Sequence, residues 1–280
     1  MELPLRLSAV QRTGRARSHA RPWTPPPAVP ALEKDEVHVW RVDVGSAYAR
    51  REVLWGILDG DERQKAADFL FEGDRERFVV SRGVLRVLLG RYLRRAPGSL
   101  GFGYNLYGKP HLAGDLGICF NTSHSHGLVL LAFAWGREVG VDIERVRADP
   151  GLEGIAASCF SPRELATFHS LRSDLRERAF FACWTRKEAF AKAVGRGLAL
   201  PLDRFDVTLA PGEPVRLLDT KGVPPEPTKW TLQELVPGPG YAAALAVDGT
   251  GLRLSCWQEP DGFCCDEAGS EQSSPDTEAG

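Results

Sequence analysis

The chain has 280 residues, 43% of them hydrophobic, and a formal net charge of −2. That size and composition suit a globular protein with a sizeable core, built as one large domain or two smaller ones. The near-neutral charge gives no global attraction to nucleic acid or an anionic membrane, and no apolar run approaches the roughly 20 residues that cross a bilayer.

Residues 1–34 are rich in Arg and Pro, with PWTPPPAVP near the end and Glu2 as the only acid before Glu33. Proline density opposes helix and there is little to bury, so this stretch is expected to be a disordered leader. An organelle transit peptide is the lesser alternative, because the prolines spoil its amphipathic helix; the apolar core of a signal peptide is missing.

EVHVWRVDV then alternates apolar and polar residues as a strand does. Between Asp61 and Arg95, Phe69, Leu70, Phe78, Val79, Leu85, Leu88, Leu89 and Leu93 recur at helical spacing. A break at Glu72–Gly73–Asp74 predicts two helices there. LGFGYNLYGKPHL reads as strand and turn, and LGICF and LVLLAFAW as apolar strands flanking a polar loop, NTSHSHG. EVGVDIERV is a further strand and SPRELATFHS a Ser-capped helix. A long helix follows from about Asp174 to Val194, stopped by Gly195, Gly197 and Pro201. FDVTLA, WTLQELV and YAAALAVDG form a closing set of strands. The chain then turns acidic and Ser/Gly-rich, so residues 255–280 are expected to be a second disordered tail. Interspersed helices and antiparallel strands give an α+β fold. The six cysteines form neither a CxxC pair nor a secreted disulfide framework, so reduced thiols in a cytoplasm are expected.

Two segments carry chemistry. In VGVDIERV, Asp142 and Glu144 lie two apart, so both carboxylates project from one face of the strand. A lone pair of this kind is more often a solvated strand edge. In FFACWTRKEAFAKAVGRGL, residues Phe180, Cys183, Trp184, Phe190, Ala191 and Val194 form one apolar arc, with Glu188 and Lys192 together at its border. Lys187 falls inside the arc, where a cation needs an anionic partner or a route to solvent. Glu188 and Lys192 alone would be an ordinary surface pair. Combined, Asp142, Glu144 and Glu188 are hard oxygen donors of the kind Mg²⁺ prefers, and lysines in the same motifs suit a polyphosphate.

Here the sequence resembles a known family. WTRKEAFAKAVGRGL is similar to the W-[ST]-x-K-E-[AS]-x-x-K-x-x-G-x-G-[LF] signature of the 4′-phosphopantetheinyl transferases, and VGVDIE to their (I/V)-G-(I/V)-D-(I/V)-E element. FNTSHSHG resembles their F-N-[LIV]-S-H-S segment and GKPHL their G-K-P-x-[LIV] turn. The four occur in order within about Glu36 to Leu254. The length resembles the larger, surfactin-synthetase-activating type, with two similar α/β subdomains in one chain, each a small antiparallel sheet packed with helices.

The resemblance implies an N-terminal subdomain at 35–140, a C-terminal subdomain with the metal site at 141–254, and a monomer acting in the cytoplasm. It implies transfer of the phosphopantetheine arm of coenzyme A to a serine of an acyl- or peptidyl-carrier protein, giving holo-carrier and 3′,5′-ADP. Asp142, Glu144 and Glu188 would hold Mg²⁺ with the coenzyme A pyrophosphate. Glu188, or a water oriented by Asp142, would be the base, and Lys192 would stabilise the departing 3′,5′-ADP. Lys187 would bind phosphate, Lys109 and Arg77 would lie near the 3′-phosphate and adenine, and Lys65 would join that rim. Ser123 and His124 would hold the nucleotide, His124 through its 3′-phosphate. Arg82 would serve phosphate or neutralise acids, and Arg82, Arg86 and Arg91 would steer an acidic carrier. Two positions depart from the pattern: Glu62 and Arg63 occupy a stretch that is often basic, and Thr122 replaces an aliphatic residue. The competing readings are a non-catalytic coenzyme A-binding protein on the same fold and a magnesium-dependent phosphohydrolase.

Overall fold

The structure is a computed structural model that describes residues 21–28, 30–114, 116–220 and 229–260. Residues 1–20 of the expected leader and 261–280 of the expected tail lie outside the described residues.

Strand β1 (Glu36–Asp43) leads into two short helices, α1 (Val44–Tyr48) and α2 (Arg51–Ile57), then α3 (Gly60–Ala67) and the long α4 (Glu72–Leu93). A small hairpin, β2 (Phe102–Tyr104) and β3 (Pro110–Leu112), precedes β4 (Ile118–Ser125) and β5 (Leu128–Trp135). The same order then repeats. Strand β6 (Val139–Arg145) leads to α5 (Leu152–Cys159), α6 (Pro162–Ser170) and the long α7 (Ser173–Val194). A small hairpin, β7 (Asp206–Val207) and β8 (Leu217–Asp219), precedes β9 (Trp230–Leu235) and β10 (Tyr241–Asp248). The main sheets match too: β1-β5-β4 in one half and β6-β10-β9 in the other. This α+β chain is one architecture used twice.

Period-2 patterning decides how the halves meet. Val37 and Val39 of β1, Leu130, Ala132 and Ala134 of β5, Val139, Val141 and Ile143 of β6, and Ala243, Leu245 and Val247 of β10 share one buried cluster between the two sheets. The opposite face of the first sheet, with Trp40, Val42, Val129, Leu131 and Phe133, is covered by α4. The opposite face of the second, with Leu232, Ala244 and Ala246, is covered by α7. The layers therefore run helix, sheet, sheet, helix.

Three boundaries differ from expectation. The helix break falls at Asp68–Phe71, and Glu72 and Asp74 form the acidic first turn of α4, where they suit its N-terminal dipole. The polar segment NTSHS is strand: β4 runs on through Ser125, and His126 and Gly127 alone make the turn. The acidic tail begins later than 255, because β11 (Arg253–Gln258) returns to the first sheet and pairs in parallel with β1, from Glu36 opposite Arg253 to Arg41 opposite Gln258. Leu254 and Cys256 of β11 point into the intersheet core.

Part of the expected leader is packed as well. The Thr24 N–H donates to Cys256 O (3.1 Å), the Gln258 N–H to Thr24 O (2.8 Å), and Trp23 Nε1 to Val236 O (2.6 Å). A proline-rich extended segment fits here because it covers the edge of β11 without continuing a sheet. A chain ending at residue 254 loses buried Cys256 and the buried Arg50–Glu259 pair (2.7 Å), whereas one ending at 260 keeps every contact described. The shorter chain is expected to lose about 3 kcal/mol or more in urea unfolding, from the burial and the pair together, and the longer one to match full length.

Candidate active site

The site lies where the two sheets meet edge to edge. Strands β4 and β6 belong to different sheets, so no backbone ladder joins them. Side chains do. Asn121 Oδ1 accepts from the Val141 N–H (2.9 Å), Ser123 Oγ from the Ile143 N–H (3.3 Å) and Ser125 Oγ from the Arg145 N–H (3.0 Å). These three side chains share one face of β4, and the three N–H groups are those that β6 turns away from β10. The comb thus satisfies the donors of an edge strand and fixes the register of β4 on β6.

The intervening residues of β6 face α7. Gly140 lets the helix come close: a Cβ there would sit 2.1 Å from Ala189 O and 2.4 Å from Ala193 N. That contact brings Glu188 and Lys192 over Asp142. Asp142 is buried, and its Oδ1 accepts from Lys192 Nζ (2.6 Å) and Ser123 Oγ (2.9 Å). Its Oδ2 is buried with no hydrogen-bond partner. Glu144 Oε2 accepts from Ser125 Oγ (3.1 Å). Desolvation pushes the Glu144 carboxyl above its ordinary pKa, and the Asp142 charge adds to the shift. Glu188 is raised by desolvation and then by Asp142, with Lys192 opposing and Glu144 adding. The three acids are therefore electrostatic neighbours. Among the described residues, no three His, Cys, Asp or Glu side chains form a group that could already hold a metal ion.

A basic side faces them. His124 lies on the α4 face of β4, opposite Ser123. Desolvation lowers its pKa first, followed by the positive charges of Arg77 and Lys192. Arg77, on α4, also pairs with Asp74. Sequence reasoning missed His126, Arg145 and Arg147, which extend this side: after desolvation, Arg145, Arg147 and Arg77 depress the His126 pKa. The run HGLVL held no signal for His126, which occupies the turn after β4 at positive φ.

Several expected ligands have other tasks. Lys187 is fully buried and its three N–H donors are used: by Glu164 Oε2 (2.7 Å), Leu202 O (2.7 Å) and Phe205 O (2.7 Å). It is a core ion pair, not a phosphate ligand. Lys109 Nζ is held by Glu138, by Ala193 O (2.9 Å) and by Val139 O (3.3 Å), so it closes the C-terminal end of α7. Asn105 assists by donating to Gly195 O (2.8 Å). Ser123 spends its hydroxyl on Asp142 and on the β6 backbone, with Lys192 donating to it as well (3.1 Å). Lys65 is exposed on α3, its ammonium 5.5 Å from the Phe78 ring centre. Arg82 and Arg86 both bind Glu62, so Arg82 neutralises an acid neighbour, one of its two expected roles; Arg86 is fully buried and bonds Asp59 Oδ2 (2.5 Å) and Leu100 O (2.9 Å) too, out of reach of a partner. The unusual acid Glu62 is thus an anchor for α4.

Acids and bases facing each other across one seam are how a protein holds a polyanion together with a cation, and the doubled sheet-and-helix fold narrows the class further. A sequence profile of the 4′-phosphopantetheinyl transferase superfamily matches residues 138–246, which include Asp142, Glu144, Glu188 and Lys192. The chain is 38% identical to the 4′-phosphopantetheinyl transferase HetI of Nostoc sp. over 238 residues, covering 84% of this chain and 97% of HetI. It is 32% identical to a 4′-phosphopantetheinyl transferase of Bacillus subtilis over 56% of this chain and 68% of that protein. It is 30% identical to Sfp of B. subtilis strain 168, over 56% and 69%. The chain belongs to the 4′-phosphopantetheinyl transferase superfamily.

Two substitutions test the packing of the site. Gly140→Ala is expected to cost about 3 kcal/mol or more by forcing α7 off β6, read by urea unfolding. Lys187→Met is expected to cost about 3–5 kcal/mol, because it strands buried Glu164; a stable variant impaired only in nucleotide binding would return Lys187 to the phosphate site.

Proposed function

We propose that this protein transfers the phosphopantetheine arm of coenzyme A to a serine hydroxyl of an acyl- or peptidyl-carrier protein, releasing 3′,5′-ADP. The observation that carries the reading is the joint placement of Asp142, Glu144 and Glu188 beside Lys192, in a chain of this superfamily. The serine oxygen forms a bond to the β-phosphorus as the bond from that phosphorus to the leaving 3′,5′-ADP oxygen breaks.

The donor set fits Mg²⁺: it is all carboxylate, and Asp142 Oδ2 is buried without a partner. Asp142, Glu144 and Glu188 would hold the ion. When bound it supplies positive charge for the pyrophosphate oxygens. Phosphate oxygens and water would complete the coordination, since Mg²⁺ usually keeps several waters.

The chain's own groups do the rest. Glu188 would take the serine proton, directly or through a water that Asp142 orients; before any ion binds, desolvation and the Asp142 charge hold its carboxyl above its ordinary pKa. Lys192 is positioned to leave Asp142 for a pyrophosphate oxygen and stabilise the leaving group. His124 and Arg77 favour the 3′-phosphate side. Lys65 remains a candidate for the rim. Both halves that form the seam come from one chain, which favours a monomer. Among the described residues Cys119, Cys159, Cys183 and Cys256 are free thiols, which favours the cytoplasm, and no helix is long and apolar enough to cross a membrane. The complete Asp142–Glu144–Glu188–Lys192 set favours catalysis over binding alone.

With coenzyme A, Mg²⁺ and an apo carrier, 3′,5′-ADP is expected only when all three are present; release without carrier would make the protein a hydrolase, and no release a binding module. Glu188→Gln is expected to lower transfer at least about a thousandfold, since it removes charge and basicity while keeping shape. The same variant should unfold at a higher temperature near neutral pH without metal. A folded-state pKa raised above the unfolded one means that the stabilising contribution of Glu188 is present at low pH and lost as pH rises through the folded value. The advantage of Gln should therefore shrink at about pH 4. Equal melting temperatures at both pH values would refute the crowding of the three acids.

A further inference from the structure

We infer that Ser125 is a positioning residue: its hydroxyl aims the Glu144 carboxylate at the metal site and ties that aim to the register of the two halves. The inference rests on the proposed reading that Glu144 helps to hold a divalent cation.

Glu144 is near the end of β6, where the strand leaves the sheet, and it is only half-buried. Among the described residues its one hydrogen bond is the one from Ser125 Oγ (3.1 Å). Asp142 is better held, by Lys192 and Ser123 together. A glutamate with three rotatable bonds and one tether depends on that tether for its direction. Ser125 is itself fixed. Its oxygen accepts from the Arg145 N–H (3.0 Å) while its proton goes to Glu144, and His126 Nδ1 lies 3.3 Å away on the turn that ends β4. A single hydroxyl therefore reads the position of the β6 backbone and sets the side chain of the residue just before it. Ser123 does the same for Asp142, accepting from the Ile143 N–H and donating to Asp142. This repetition, two residues on along both strands, is what marks the contact as a device rather than an incidental surface hydrogen bond. A serine suits the position because it donates and accepts at once from a short stem, so its oxygen cannot wander.

The role differs from that of a ligand: Ser125 acts through Glu144 and has no need to touch metal, coenzyme A or carrier. It also differs from a purely structural strut, which would support Arg145 N–H without affecting the carboxylate.

The test measures Mn²⁺ uptake by the full-length protein with coenzyme A and no carrier, by electron paramagnetic resonance, alongside thermal unfolding and the kcat and KM of transfer. Ser125→Ala is expected to weaken Mn²⁺ about tenfold, the usual scale for losing a partner of a ligand. KM for the carrier should stay unchanged and kcat at subsaturating metal should fall. Ser125→Thr, which keeps a hydroxyl that both donates and accepts, should restore most of the affinity. In a Glu144→Gln background, Ser125→Ala should have no further effect on Mn²⁺. Unchanged Mn²⁺ affinity in Ser125→Ala, with or without a lower unfolding temperature, overturns the inference and leaves the proposed function standing. If the unsubstituted protein takes up no Mn²⁺ with coenzyme A, the metal-site reading fails and this inference with it. Should Ser125→Ala not be recovered folded, Ser125→Cys keeps the shape with a weaker donor, and unchanged affinity there overturns the inference equally.

Discussion

The seam between β4 and β6 carries the molecule. Both strands are sheet edges on that side, and an edge strand buried without partners would leave a row of backbone donors unsatisfied. Continuing one sheet into the other would pair those donors, but it would also flatten the two layers into one and abolish the intersheet core. Asn121, Ser123 and Ser125 resolve the conflict by reaching across with side-chain oxygens. The strands stay in separate sheets, the donors are bonded, and the register is set at three consecutive steps. Once that register is set, Gly140 admits α7, and Asp142 meets Lys192. A slip of one residue would turn the acids into the apolar layer and the valines towards the helix.

Seen as a repeat, the two halves show how one architecture serves two purposes. In each, a short helix opens with a capping box whose glutamate also receives a buried cation from the long helix that follows. Glu62 of α3 takes Arg86 of α4, and Glu164 of α6 takes Lys187 of α7. Such pairs are costly to desolvate, yet each fixes the helix on its neighbour and excludes alternative packings, since a mismatch would strand a charge. The corresponding faces of β1 and β6 then diverge. Under α4 the strand offers Trp40 and Val42, and the space is filled with core. Under α7 it offers Gly140, Asp142 and Glu144, and the space becomes a site.

How much of this was legible in the sequence follows from the range of the forces. The long helices, the acid pair on β6 and the Ser161 cap of α6 all rest on periodicity or on a three-residue spacing, and all are present in the structure. β11 was hidden although its Leu254 and Cys256 alternate, because the acidic composition just beyond it dominated a short window. The tasks of Lys187 and Lys109 were hidden for a different reason. The place of Lys187 inside the apolar arc calls for an anionic partner, but that partner is on α6 and those of Lys109 are at Glu138 and the end of α7, so nothing local in WTRKEAF or GKP tells a phosphate from a protein acid. Ser123 and Ser125 were expected in a loop since six polar residues in a row, Asn121 to His126, read as turn; only the facing edge of β6 makes that composition a strand.

The same physics sets the electrostatic balance among the three acids. Three carboxylates in a half-buried seam repel one another, and desolvation compounds the cost; both effects are visible in the raised pKa values of Glu144 and Glu188. Lys192 relieves part of this, and its two contacts show where: one to Asp142 and one to the serine that holds Asp142. Its ammonium is the internal counterion of the three acids. In the proposed reaction a divalent cation would take over that duty, and the lysine would then be available to the phosphates. Lys192 has the freedom to exchange partners because it is half-exposed at the border of α7. Lys187, five residues earlier and fully buried, has none. Position on the helix, more than residue type, separates the half-exposed lysine beside the acids from the buried structural one.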